Sequence, residues 1–266
     1  MFYFVVPMIS KRVASDWNFM NTLLHRTLLS VLAQTDENWR AIVVGNEKPT
    51  TPLLSEERID FLSVETELKA DTPGHRDYDK EKKLRAAYVH IRPSHPDFVM
   101  ILDADDLVNR DLVKYVRSHP CEAGFVVQDG YVYVTRHNRM RRVDNFNTRC
   151  GSSLVVKYRP EWYPESNDVR IHDYWTMICH PRLSCIEDRT LTFSELPFPA
   201  SIYVRHDGGS TRDSARVKQI TKRYYYRLRE SVLAFAKGKS VNEEHMKMFG
   251  GLEEHVQKKP APLEEE

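Results

Sequence analysis

The sequence predicts an α/β protein built on a mostly parallel sheet, and three observations carry that expectation. Short apolar runs recur through the first part of the chain, at residues 2–6, 39–45, 59–64 and 98–102. Segments with helical spacing separate them, giving the order β-α-β-β-α-β. The runs are predominantly apolar and alternate with helical segments, so a mostly parallel sheet with helices on both faces is expected.

The elements follow in order. Residues 2–6 are β-rich and stop at Pro7. Ser15 or Asp16 can cap the helix that follows, in which Phe19, Leu23, Leu24, Leu28, Val31 and Leu32 keep helical spacing. A polar break at 34–38 leads to the second strand, whose exit loop is Asn46-Glu47-Lys48-Pro49, and then to the third strand. Residues 66–79 read as a polar loop around Pro73-Gly74. A helix runs from Lys80 to His90, with Leu84, Ala87, Tyr88 and Ile91 on one side. After the strand at 98–102 come a short helix at 109–116 and a β-rich stretch at 124–135 with Asp129-Gly130 as a hairpin turn. A strand at 154–156, a helix starting near His172, a strand at 201–206 and a helix from Arg216 to Lys237 complete the pattern. Everything beyond Lys239 reads as a weakly packed or disordered tail, ending in Pro260, Pro262 and three glutamates.

The bulk numbers narrow the function classes. The 266 residues suit one large α/β domain. Lys plus Arg number 39 against 38 Asp plus Glu, so nothing in the net charge argues for nucleic acid as a partner. Of the four cysteines, Cys179 and Cys185 lie closest together, and their spacing is not that of a zinc ribbon. Reduced cysteines fit a cytoplasmic protein. The apolar start is too short for a signal peptide or a membrane span and has no basic segment before it.

The most informative residues are Asp103-Ala104-Asp105-Asp106, which close the fourth apolar run. A buried strand cannot hide carboxylates without partners, and the carboxyl end of such a strand is where α/β proteins bind ligands. Carboxylates two residues apart on extended backbone point the same way, so Asp103 and Asp105 can share one divalent cation. Asp-x-Asp alone is common on solvated loops. Its position after a buried strand is what raises it.

These residues carry a family resemblance. Leu29-Ser30-Val31-Leu32-Ala33-Gln34-Thr35, followed by the strand from Trp39, resembles the opening of glycosyltransferase family 2. Leu102-Asp103-Ala104-Asp105-Asp106 is similar to that family's metal-binding aspartate motif. His172-Asp173-Tyr174-Trp175, and Tyr203-Val204-Arg205-His206 with Ser210, resemble its later phrases. Gln34-Thr35-Asp36 is similar to a rhamnosyltransferase-like subgroup. Two departures stand out. Gly45-Asn46-Glu47-Lys48 occupies the place of the family's Asp-Asp-Gly-Ser, and His172 the place of a glutamate.

The resemblance implies a GT-A-type, Rossmann-like fold with a C-terminal helix and tail. It implies one catalytic domain over 1–238, with a nucleotide-binding half at 1–110 and an acceptor half at 111–238, before a tail at 239–266. The implied activity is metal-dependent, inverting transfer of a sugar from a nucleotide-diphosphate donor to a glycan or lipid-linked acceptor. Such a reaction leaves a diphosphate, whose growing charge manganese or magnesium would stabilise. Asp105 would be the principal metal ligand, Asp103 would reach the metal or the ribose, and His206 would be a further ligand. Asp173, at a helix start, would be the base, with Glu187-Asp188 as a rival pair. Pro7, Glu47, Lys83 and Arg85 would meet the donor, and base recognition would fall to Asn46 or Glu47.

Other readings stay open at this point. A non-catalytic nucleotide- or carbohydrate-binding protein could keep the fold. A nucleotidyltransferase is disfavoured because Pro7-Met8-Ile9-Ser10-Lys11-Arg12 holds no glycine for a phosphate loop. Arg136, Arg139, Arg141 and Arg142 form either a solvated turn or a clamp for an anion. The basic, aromatic helix from Arg216 to Lys237 either packs on the domain or makes a peripheral contact with the inner membrane face.

Overall fold

The computed structural model describes residues 1–65, 73–168, 191–206 and 232–257. Its centre is a seven-stranded sheet of β1 (Phe2–Pro7), β2 (Trp39–Gly45), β3 (Ile59–Ser63), β4 (Phe98–Ile101), β6 (Gly124–Val126), β9 (Leu154–Lys157) and β10 (Phe193–Glu195). The spatial order is β10-β6-β9-β4-β1-β2-β3. Strands β3, β2, β1 and β4 are mutually parallel, and β9 is the antiparallel strand inserted between β4 and β6. This is the mostly parallel α/β architecture expected of a GT-A-type fold.

Both faces of the sheet are covered, and the strand sequences show why. Phe2, Phe4, Val6, Trp39, Ala41, Val43, Phe98 and Met100 pack with Leu23, Leu24, Leu28 and Val31 of α1 (Trp17–Leu32). The intervening Tyr3, Val5, Ile42, Val44, Val99 and Ile101 pack with Leu84, Ala87, Tyr88 and Ile91 of α2 (Pro73–Ile91). Side chains alternate across a strand, so apolar residues on both phases produce the unbroken runs. Asp16 caps α1, accepting from the Phe19 amide at 2.9 Å. Helix α2 starts seven residues earlier than its apolar stripe suggests, because proline is well tolerated in a first helical turn.

A second sheet has the order β12-β8-β7-β11-β5. It joins β5 (Leu107–Val108), β7 (Gly130–Val134), β8 (Arg139–Val143), β11 (Ser201–Arg205) and β12 (Lys239–Ser240). Here the expected hairpin turn is corrected. Asp129-Gly130 is where the chain crosses from the first sheet into the second, and the hairpin is β7–β8, turning through residues 135–138. The crossing is tight: a Cβ on Gly130 would lie 2.4 Å from the Phe146 ring. Arg139, Arg141 and Arg142 belong to β8 rather than to a turn. Arg142 pairs with Asp129, and Arg139 donates to the Gly238 carbonyl at 2.6 Å.

The tail is also corrected, up to residue 257. Helix α3 is Leu112–Ser118, and helices α4 (Glu243–Met248) and α5 (Leu252–Gln257) pack on the second sheet, with Phe249 and Leu252 fully buried. Arg26 of α1 donates to His255 Nδ1 at 3.0 Å and to the Glu254 carbonyl at 2.8 Å. Residues 258–266 lie outside the described residues, as does most of the segment from Arg216 to Lys237, of which 232–237 is helical. No described helix is long and apolar enough to cross a membrane.

Candidate functional site

The site is built on the turn that leaves β4. The Asp106 amide donates to the Asp103 carbonyl at 3.1 Å, and β5 follows at once. Strand β11 runs antiparallel to β5, pairing Ile202 with Leu107 and Ser201 with Val108. That register carries the end of β11 along the aspartate turn, so residues about a hundred positions apart meet. His206 Nε2 lies 3.4 Å from Asp105 Oδ2.

The three aspartates have different environments. Asp106 is buried. Its Oδ2 accepts from Ser152 Oγ at 2.7 Å and Cys150 Sγ at 2.9 Å, and its Oδ1 from the Val204 amide at 3.2 Å. Burial, reinforced by Asp105 and Asp103, pushes its carboxyl well above the usual range. Asp106 is therefore the fastener that joins the turn to β11 and to the 150–152 loop. The Asp103 amide donates to Ser152 Oγ at 2.9 Å, which secures the turn from its other side. The carboxylates of Asp103 and Asp105 remain 29% and 28% exposed, and these are the two that an incoming ligand can reach.

Asp103 Oδ1 accepts from Lys80 Nζ at 2.6 Å. Desolvation pulls the Lys80 ammonium down, but Asp103, Asp105 and Asp106 outweigh it and hold the pKa above its ordinary value. His206 is enclosed, its side chain only 4% exposed and packed edge-on against Phe19 at 5.0 Å. Its Nδ1 is buried and has no hydrogen-bond partner among the described residues.

A divalent cation fits this arrangement in part. Neighbouring ligands on an octahedral ion with bonds near 2.1 Å stand about 3 Å apart, close to the Asp105–His206 separation of 3.4 Å. No group of three metal-ligating side chains gathers among the described residues. Magnesium-type ions are usually held by one or two protein groups and completed by substrate phosphates and water. Asp105 and His206 suit such a site, whereas Asp103 is engaged with Lys80.

The remaining candidates separate into those near the turn and those turned inward. Lys83 is buried, donating to the Met8 carbonyl at 2.9 Å and to Asp79 Oδ2 at 2.5 Å. Glu47 accepts from Ser10 Oγ at 3.2 Å and from the Lys11 amide at 2.8 Å, so it clasps the exits of β1 and β2 together. Asn46 donates to the Val64 carbonyl at 3.0 Å. Pro7 is half-buried at the end of β1, where it pairs with Val44 in register. Arg85 is half-buried on α2. Asp173, His172, Glu187 and Asp188 lie outside the described residues.

Compared with family models and with curated proteins, the sequence finds no match. Among solved structures, TarS from S. aureus aligns at 13% identity with a TM-score of 0.39, over 77% of this chain and 36% of that one. A 1–349 piece of TarS aligns at 12% identity with a TM-score of 0.41, over 92% of this chain and 67% of that one. The chain thus spans little more than a third of the longer TarS structure. Likeness at this level carries no argument about activity.

Two features of the site were missed in the sequence. The Ser30-Gln34-Thr35 phrase buttresses it: Ser30 Oγ accepts from the Val108 amide at 3.1 Å, and Gln34 Oε1 from the Val113 amide at 3.0 Å. Gln34 Nε2 donates to the Asn109 carbonyl at 2.8 Å, and Thr35 Oγ1 to Asp111 at 2.8 Å. The end of α1 therefore fixes the segment that leaves the aspartate turn. The second is Lys80, which lies four residues before Leu84 and so extends the inward stripe of α2.

Proposed function

We propose that the chain is a glycosyltransferase that takes a sugar from a nucleotide-diphosphate donor, with the diphosphate seated at the turn after β4. The observation that carries this reading is the meeting of Asp105 with His206 at 3.4 Å, at the carboxyl end of parallel strands. Exposed carboxylates at that edge suit an ion shared with phosphate oxygens. The family-2 resemblance of both segments supports the same reaction.

Asp105 and His206 would hold manganese or magnesium, which supplies charge stabilisation for the departing diphosphate. The His206 ring is kept in place by Phe19 and by its burial. Asp106 maintains the turn from below through Ser152, Cys150 and Val204. Asp173 is proposed as the base that takes the proton from the acceptor hydroxyl, which would give inversion by direct displacement. A glycan or lipid-linked glycan is the proposed acceptor.

The experiment is release of nucleoside diphosphate from UDP-, GDP- and dTDP-linked sugars, with and without manganese. Metal-dependent release that Asp105→Asn abolishes is the expected result. Release that persists in Asp105→Asn would overturn the metal role. Asp173→Asn should keep donor binding and lose transfer to acceptor.

The Lys80–Asp103 ion pair favours a second reading, a protein that binds nucleotide sugars without turning them over. Donor-dependent thermal stabilisation, with no product across the panel, would select it.

A further inference from the structure

We propose that Lys80 is the phosphate-facing cation of this site, and that Asp103 is the anchor of Lys80 rather than a metal ligand. The identity of the anion rests on the glycosyl-transfer reading. The division of labour between Lys80 and the metal does not.

The two lysines on the inner face of α2 have opposite fates. Lys83 is enclosed, its ammonium directed at Asp79 and at the Met8 carbonyl. Lys80, three residues earlier and one turn nearer the sheet edge, keeps 36% of its side-chain surface exposed, although its ammonium is desolvated beside Asp103 at 2.6 Å. An ammonium has three donors. One is used by Asp103, and the others have no hydrogen-bond partner among the described residues. They are available to an oxygen arriving at the turn without breaking the bond already made.

Charge makes this role necessary. Asp103 and Asp105 both reach solvent at the turn. A diphosphate approaching these two carboxylates would meet like charge from both. Lys80 neutralises one of them and presents positive charge to the anion, which is how lysine commonly binds phosphate, as a point charge. The ligand set left for a divalent ion is then Asp105 and His206, in keeping with the absence of a three-ligand cluster among the described residues. Lys80 and a metal ion compete for Asp103, so removing Lys80 should admit the metal.

The test uses the full chain with two probes kept apart. One is manganese alone, followed by its electron paramagnetic resonance signal. The other is inorganic pyrophosphate in EDTA, followed by calorimetry. Lys80→Met should bind manganese about tenfold more tightly and metal-free pyrophosphate about tenfold more weakly, the order expected for one unit charge at a partly exposed site. Lys80→Arg, which keeps the charge, should stay within about threefold of the parent for both probes. Adding Asp103→Asn to Lys80→Met should reverse the gain in manganese affinity.

Manganese binding that is unchanged, weakened or undetectable in Lys80→Met overturns the anchor role of Asp103. Unchanged pyrophosphate binding overturns the phosphate role of Lys80. A protein that shows both shifts yet turns over no nucleotide sugar keeps Lys80 in this role and loses the transferase reading. One that turns over donors while Lys80→Met shifts neither affinity does the reverse.

Discussion

Lys83, in the middle of α2, donates to the main-chain carbonyl of Met8 at 2.9 Å and so ties the helix to the exit of β1. Its other partner is Asp79, one turn back on the same helix. Burial lowers the Lys83 pKa, and Asp79 followed by Glu47 opposes that shift. The lysine therefore acts inside the fold, as a clamp between helix and sheet.

Lys83→Met is accordingly expected to destabilise the protein rather than to weaken donor binding selectively. It removes the ammonium from a carboxylate that is itself buried, a change that costs about 3–5 kcal/mol. Urea unfolding of the variant measures the loss. The double variant Asp79→Asn/Lys83→Met should recover part of it, because no buried charge remains there.

Asp106 makes a parallel case at the turn itself. Asp106→Ala would strip the acceptor from Ser152, Cys150 and the Val204 amide at once. Leaving buried donors unsatisfied costs about 1–3 kcal/mol for each group, so a total loss of several kcal/mol is expected. Asp106→Asn keeps one acceptor and should lose less. Denaturant midpoints of the two variants, compared with the parent, decide the order.

Much of the sheet was legible because buried parallel strands leave a simple trace. Phe2, Phe4 and Val6 face α1 while Tyr3 and Val5 face α2, and both sets must be apolar. The Asp16 cap was legible for a similarly local reason. Lys80 and Lys83 were not separable, since both lie on one helix face with the same chemistry. What divides them is the Met8 carbonyl and Asp103, which only the tertiary fold brings near. The crossing at Asp129-Gly130 depends on the Phe146 ring, sixteen residues on from Gly130. In the C-terminal segment, Phe249 and Leu252 belong to a short, sparse apolar set with Met246 and Met248, set among charged residues and glycines. Their burial is created by α1 and the second sheet, which no local pattern reports.

The same segment gives a direct stability test. Gly251 has φ +77, and a Cβ there would lie 2.4 Å from the Arg26 carbonyl oxygen of α1. Alanine would meet both a left-handed backbone and a main-chain clash, so Gly251→Ala should cost at least about 2 kcal/mol. A thermal melt is the measurement. A variant as stable as the parent would mean that α4 and α5 do not dock on α1 in solution.

His255 makes that docking sensitive to acid. Arg26 can only donate, so the imidazole Nδ1 that faces it at 3.0 Å must be an unprotonated acceptor. Burial, then Arg26 and His206, depress the His255 pKa to about 3, from an ordinary value of 6.5. On the other faces, Tyr133 meets the ring edge-on, and Glu254 pairs with His25 at 3.6 Å. Because the folded pKa is depressed, the unfolded chain binds the proton first. The stabilisation is complete above the unfolded pKa and is lost progressively as pH falls toward the folded one. At about pH 5 the loss amounts to about 2 kcal/mol. Replacing His255 with glutamine, which does not titrate, should remove that part of the pH dependence while lowering stability at neutral pH. Urea midpoints for both proteins between about pH 7.5 and pH 5 provide the check. Parallel curves would show that His255 titrates alike in the folded and unfolded chains, and would remove it as the acid-sensitive link between α5 and α1.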